Sequence, residues 1–359
     1  MTKNAFLEFL GIEHPILLAP LAGGPGTPEL AAAVSEAGGL GSLGAAYLAP
    51  AEIREAIRKV RSLTRKPFLV NLFCGLREIQ TPIDAGPMLA VLREAHLKLG
   101  LPAPVLPAVP PNPFPAQLEV VLEERPPVFS LTEGFPDAEA LRRAKAGGML
   151  LLGTATTVHE ARMLEEAGVD AVIVQGAEAA AHRATFTGSF ESSMVPLAEL
   201  VPATVKACSR PVIATGGIMD GSDIAAALAI GASAVQMGTA FLPCPESGAS
   251  EAYKRAILNA GRDTTVITRA FSGKPARGLA NGFIERLKGR EEIILPFPLQ
   301  NVLTRPMRAA AAQQGAADYL SLWAGQGVAR ARSLPAGELV RLLVKEMREA
   351  QSHTAKAAL

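Results

Sequence analysis

Four times along the chain, a run of helix-compatible residues ends in small residues and glycine, and a short apolar run follows at once: Glu36–Leu40, Lys145–Met149, Glu166–Ala171 and Ile230–Ala234. A glycine at such a junction takes the left-handed backbone that closes a helix, and the chain leaves as a strand. Helix starts carry their own marks. Thr27-Pro28 sets a capping hydroxyl before a proline at the first helical position, and Thr157-Val158-His159-Glu160 has capping-box spacing. The strands are expected at Ile16–Ala19, Leu40–Leu43, Phe68–Asn71, Val128–Leu131, Met149–Leu152, Ala171–Gln175, Val212–Thr215 and Ala234–Met237. They are short, continuous in apolar character and mostly separated by helical patterns, as suits parallel strands buried on both faces. Eight such units predict an α/β fold, a (β/α)8 TIM barrel in preference to a doubly wound sheet.

A barrel of this kind takes roughly 250 residues, and the chain has 359. The surplus sits in two places. Nine prolines fall between Pro102 and Pro127, too many for a plain barrel helix, so an excursion over one end of the barrel is expected there. After the eighth strand, the stretch from Leu242 to Leu359 carries Pro243, Pro245, Pro296, Pro298 and Pro306. Together these predict a smaller, mainly helical lobe of residues 76–112 and 243–323, on a barrel of residues 1–75, 113–242 and 324–352.

Lys plus Arg at 35 against Asp plus Glu at 34 leave a net charge of +1 without any basic block, which argues against nucleic acid or a membrane surface as partner. Hydrophobic residues at 49% supply a sizeable core. Cys74, Cys208 and Cys244 are widely spaced with no C-x-x-C, so no structural zinc or disulfide framework is expected, and a reducing cytoplasm is the expected location. Glu8 interrupts any signal-peptide core. Ile224–Pro243 is uncharged over 20 residues, the length of a membrane span, but it breaks at Gly231. A helix followed by a buried strand is expected there instead.

Gly39-Leu40-Gly41-Ser42-Leu43-Gly44 matches G-x-G-x-x-G, yet it follows a helix and overlaps a strand, so it reads as tight strand packing and not as a dinucleotide fingerprint. The seventh strand ends in Gly216-Gly217 ahead of a helix capped by Asp220 or Ser222, and the eighth ends in Gln236-Met237-Gly238-Thr239. Glycine turns also serve plain tight packing. Paired after strands seven and eight of a barrel, they favour a phosphate cradled by backbone N–H groups. After strand six come Gln175, Glu178, His182 and Arg183, at the barrel end where catalytic groups reside. His182 suits a general base or a hydrogen-bonding group near neutral pH. His14, His96, His159 and His353 lack such company, no metal-ligand spacing stands out, and there is no G-x-S-x-G.

At these residues the chain resembles the nitronate monooxygenases, formerly called 2-nitropropane dioxygenases. The matching segments are Pro15–Gly24, Asn71, Gln175–Phe186, Pro211–Asp220, Gln236–Thr239, Phe271–Gly278 and Leu322–Gly327, in that order along nearly the whole chain. The resemblance implies an FMN-binding barrel. It implies flavin contact from Ala22 and Gly23, Asn71 and Gln175 near the isoalloxazine ring, and the phosphate at Gly216, Gly217 and the turn Gln236, Met237, Gly238, Thr239. His182 matches the family's active-site histidine. It would stabilise an anionic nitronate and act as base toward a neutral nitroalkane. The region of Phe297, Gln300 and Thr304 shapes the substrate pocket in the family. One departure stands out: the family typically reads Glu-Ala-Gly-Gly-His, and this chain has Glu178-Ala179-Ala180-Ala181-His182. Ala180 falls where a glycine usually contacts FMN through its backbone, so a methyl group must fit there without a positive φ.

The implied reaction is oxidation of a small alkyl nitronate by O2 to an aldehyde or ketone and nitrite, with no NAD(P)H. Two other readings share the glycine pattern: a flavin-dependent enoyl-[acyl carrier protein] reductase that consumes NAD(P)H, and a non-catalytic flavin-binding protein. The His182–Phe186 ending and Trp323–Gln326 favour the monooxygenase. The sequence leaves a homodimer open.

Overall fold

The computed structural model describes residues 3–75 and 83–357. In chain order the strands are β1 (Ile16–Leu18), β2 (Gly41–Gly44), β3 (Phe68–Phe73), β4 (Val128–Thr132), β5 (Leu150–Ala155), β6 (Ala171–Gln175), β7 (Ala181–His182), β8 (Val212–Thr215), β9 (Ala234–Met237), β10 (Thr265–Thr268) and β11 (Ala276–Leu279). Eight of them pair in parallel in the order β1-β9-β8-β6-β5-β4-β3-β2. The ring closes between its two ends. Leu18 N donates to Leu40 O at 2.9 Å, and Leu40 N to Ile16 O at 3.0 Å. The eight strands expected from the sequence are these eight, with ends displaced by a few residues at most.

Local chemistry explains the elements. Thr27 Oγ1 accepts from Leu30 N at 3.0 Å to open the helix Pro28–Glu36. Gly38, Gly148, Gly168 and Gly231 close their helices with φ between 80° and 111°. Thr157 caps the helix Val158–Ala167, but the expected box does not close: the fully buried Glu160 carboxylate takes the Thr156 N–H at 2.6 Å instead. The G-x-G-x-x-G segment is strand packing, since a Cβ on Gly41 would lie 1.8 Å from Ala31 O. The uncharged stretch Ile224–Pro243 supplies part of the helix Gly221–Ala229 and then β9. No helix among the described residues is long and apolar enough to cross a membrane.

The barrel interior has two storeys. Below, Leu69, Leu152, Ile173, Ile213 and Ala234 join Phe6 and Leu10 of the helix Lys3–Leu10 in an apolar plug. One pleat higher, the inward residues become Asn71, Thr154, Gln175, Thr215 and Gln236, and these line a cavity.

A second apolar cluster lies outside the barrel, built from Met88, Leu92 and Ala95 of the helix Gly86–Lys98 and from residues of 242–328 such as Phe271, Phe283 and Met307. The proline stretch divides in two: residues 101–113 have no regular structure, and Phe114–Glu124 is a helix with Pro115 in its first turn. Residues 76–82, where the smaller lobe is expected to begin, lie outside the described residues. The sequence reading missed a small antiparallel sheet, β10-β11-β7, in which Ala276 pairs with His182 and Arg277 with Ala181.

Candidate active site

At the C-terminal ends of the barrel strands a cavity of about 460 Å³ opens. Ala22, Gly23, Asn71, Gln175, Ala180, His182, Gly216, Gly217, Gln236, Met237, Gly238 and Thr239 all line it, so the residues singled out from the sequence meet in one place.

Two polar atoms on its floor have no protein partner. Asn71 Nδ2 lies 2.8 Å from Ser130 Oγ and 3.0 Å from Thr132 Oγ1, which turns its buried Oδ1 away as an unpaired acceptor. Gln236 Nε2 is a buried unpaired donor. A buried polar atom left unpaired costs about 1–3 kcal/mol, and a heteroaromatic ligand carrying both donors and acceptors would satisfy the two together. Gly216 and Gly217 turn with φ of 134° and 70°, and a Cβ on Gly217 would lie 3.0 Å from Glu178 Cβ. Only glycine fits that turn without strain. Thr239 Oγ1 accepts from Gly325 N at 3.0 Å, which frees its own proton for the cavity. The helix Gly221–Ala229 does not offer its N-terminus to a phosphate, because Asp220 Oδ1 takes the Asp223 N–H and Asp223 Oδ2 the Met219 N–H. Arg330 pairs with both carboxylates. The glycine turn and the Gln236–Thr239 turn are the segments of this cavity wall where an anion would still meet backbone.

His182 reaches the cavity through strand pairing. β7 hydrogen-bonds to β11, and the Gln175 side chain clamps it from the other side, with Nε2 donating to His182 O at 3.0 Å and Oε1 accepting from Ala184 N at 2.9 Å. The Gln175 amide is thus spent on the loop. Ala181 adopts φ 61°, so the left-handed residue is not Ala180 but its neighbour, at the second alanine of the departure from Gly-Gly. Glu178 and Arg183 turn away. The Glu178 carboxylate accepts from Leu197 N at 3.1 Å, and the buried Arg183 donates to Gly176 O at 2.6 Å and Gln175 O at 3.0 Å. The loop beyond is pinned by Glu160, whose Oε1 accepts from Phe186 N at 2.7 Å and Thr187 N at 2.9 Å.

The His182 ring lies deep in the protein, facing only the cavity lumen, with Phe297, Trp323 and Phe73 at centroid distances of 5.6, 5.9 and 6.4 Å. Burial, with Lys274 and Arg308 adding to it, pushes its pKa down to about 3, so the ring is neutral at pH 7. Nε2 lies 2.8 Å from Ser272 Oγ, which is itself 3.1 Å from Lys274 O. A carbonyl only accepts. Ser272 has one proton for two acceptors: given to Lys274 O, it leaves the imidazole hydrogen on Nε2 and the lone pair on Nδ1; given to Nε2, it leaves the hydrogen on Nδ1.

The nitronate monooxygenase family model matches residues 3–346. The chain belongs to the nitronate monooxygenase family. It is therefore an oxidoreductase. A probable nitronate monooxygenase of Staphylococcus aureus (strain Newman) is 40% identical over 348 residues, spanning 97% of this chain and 98% of the relative. The crystal structure of nitroalkane oxidase from Streptomyces ansochromogenes superposes with a TM-score of 0.88 at 41% identity, covering 98% of this chain and 100% of the other. FabK from Thermotoga maritima follows at 0.76 and 32%, with 99% of each chain covered.

Against the nitronate monooxygenase pattern, sequence reasoning missed part of the wall. Gln300 and Thr304 are fully buried and serve the backbone, Gln300 Nε2 donating to Ala270 O and Thr304 Oγ1 to Phe271 O, both at 2.6 Å. The neighbours Asn301, Arg305 and Arg308 line the cavity. Their spacing of i, i+4, i+7 is a helical period, a signal the sequence does carry, although Asn301 lies on the short helix Leu299–Leu303 and the two arginines on the helix Arg305–Gln314 that follows Thr304. Tyr47, just past β2, lines it too. Among the described residues no group of His, Cys, Asp and Glu is placed to hold a metal ion, and the three cysteines are free.

Proposed function

We propose that the cavity binds FMN and that the protein oxidises small alkyl nitronates with O2 to an aldehyde or ketone and nitrite, without NAD(P)H, in the cytoplasm. The observation that carries this reading is the meeting of three features in one cavity: the unpaired Asn71 Oδ1 and Gln236 Nε2, the Gly216-Gly217 turn, and a neutral histidine. Asn71 and Gln236 would hold the flavin ring and its chain by hydrogen bonds, with Ala22, Gly23 and Ala180 packed against it. Gly216, Gly217, Gly238 and Thr239 would hold the phosphate. In this reading residues 1–75, 113–242 and 324–352 carry the flavin, and 76–112 and 243–323 supply the substrate wall.

When bound, FMN supplies the electron-accepting chemistry and hands electrons on to O2. The chain does the rest. Phe73, Phe297 and Trp323 exclude water around the substrate carbon. With the Ser272 proton on Lys274 O, Nδ1 of His182 carries the lone pair that takes a proton from a neutral nitroalkane, and a substrate that arrives as the nitronate does not need that step.

The test is oxygen uptake and nitrite release by the FMN-loaded protein with propyl-1-nitronate, beside NADH loss with an enoyl thioester. Oxygen uptake without NADH is the expected result. NADH consumption with the thioester and no reaction with nitronate would give the reductase reading instead. A yellow protein inert to both would be a flavin binder only.

A further inference from the structure

The scheme above leaves one half-buried cation without a task. Arg308 lies on the helix Arg305–Gln314 and lines the cavity. Its Nη2 donates to the backbone oxygen of Asn301 at 2.7 Å and to the side-chain oxygen at 2.8 Å. Its Nε is fully buried with no partner. No carboxylate among the described residues forms an ion pair with it; the other cavity cation, Arg305, stands one helical turn away at an exposed position. Burial first, then Arg305, disfavours its charged form and brings its pKa to about 10.

A guanidinium taken out of water without a carboxylate carries a cost that an arriving anion offsets. The neighbouring cations are compensated: Lys274 pairs with Glu133 at 2.6 Å, Arg183 donates to the carbonyls of Gly176 and Gln175, and Arg277 donates to Ala177 O and Thr265 Oγ1. His182 brings no charge to this part, because its ring is neutral and its Nε2 is engaged with Ser272. Arg308 is close enough to His182 for its charge to act on that ring.

We propose that Arg308, oriented by Asn301 and supported by Arg305 at the cavity mouth, binds the oxyanion end of the substrate, so that the site selects an anionic nitronate over the isosteric neutral molecule by charge. The inference rests on the nitronate reading of the cavity. It assigns the anion-binding function to the wall and leaves proton transfer to His182.

The probes are butanoate, which has the shape and charge of propyl-1-nitronate but is not oxidised, and neutral butanamide. Each is titrated into the flavin-loaded protein at neutral pH and followed by the flavin absorbance. Arg308→Met should raise the butanoate Kd about 10- to 100-fold and leave butanamide within about twofold. The KM for propyl-1-nitronate should climb with the butanoate Kd while kcat changes less. Unchanged butanoate affinity overturns the proposal, and so does an equal loss for both ligands, which would mark a structural role. If Arg308→Met does not fold, Arg308→Lys keeps the charge but loses the planar fork. Its butanoate Kd should then rise about threefold or more, and an unchanged value overturns the proposal. A protein that binds butanoate through Arg308 yet fails to oxidise nitronates would sink the proposed reaction and leave the anion site standing.

Discussion

Lowering the pH from 7 to 5 should destabilise this protein more than a His182→Gln variant, by about 2 kcal/mol. Burial, then Lys274 and Arg308, hold the folded pKa of His182 at about 3, against about 6.5 in an unfolded chain. Between those values the unfolded chain binds a proton that the folded one refuses, so stability falls as the pH falls and the loss ends near the folded pKa. Each pH unit below the unfolded value is worth about 1.4 kcal/mol, and pH 5 lies one and a half units below it. The result is insensitive to the folded value as long as that stays well under 5. With an unfolding entropy of about 2.1 cal/mol/K per residue, the 359 residues convert about 2 kcal/mol into roughly 3 °C. Scanning calorimetry of both proteins at equal flavin loading, at pH 7, 6 and 5, measures it as a difference of differences. His14, whose pKa burial also lowers, titrates in both proteins and cancels. A gap between the two melting temperatures that stays constant within about 1 °C from pH 7 to pH 5 would refute the neutral ring.

The same His182→Gln variant should lose about 100-fold or more in rate on neutral nitroethane and much less on ethyl nitronate, read from paired initial rates of oxygen uptake. Gly217→Ala puts a methyl group at φ 70° against Glu178; at a cost of about 1–2 kcal/mol, the FMN dissociation constant should rise about 5- to 30-fold, measured by quenching of flavin fluorescence. Gly41→Ala drives a Cβ into Ala31 O and should cost more than about 3 kcal/mol, seen as a collapse in soluble yield or in the urea midpoint. Glu160→Gln faces its new N–H groups to donors at Thr156, Phe186 and Thr187. A loss of about 2–4 kcal/mol and faster proteolysis between residues 183 and 187 are expected.

The eight barrel strands were legible because each is a short apolar run between helix punctuation, a pattern that burial on both faces imposes locally. β7 was not, because two residues carry no periodicity, and its partner β11 lies almost a hundred residues downstream. His182 was legible from its place after β6. Its neutrality was not, since that depends on Phe297, Trp323 and Arg308 arriving from another part of the chain. The spacing of Asn301, Arg305 and Arg308 is written in the sequence as a helical period, but which side meets the cavity is decided by how the two helices that carry them dock. Gln300 and Thr304 look equally eligible on paper and are consumed by backbone carbonyls. Glu160 reads as half of a capping box, and only the fold brings residues 185–187 to its other oxygen.

The pairing of Ala181 and His182 with β11 bears on how such proteins can be recombined. A chimera made by exchanging residues 243–323 for those of a relative, to change which molecules are accepted, also exchanges the strand that His182 hangs from. Acceptance and reactivity cannot then be swapped as independent modules: a graft that shifts β11 by one residue turns that strand's own side chains to the opposite face and changes which of its residues His182 pairs with.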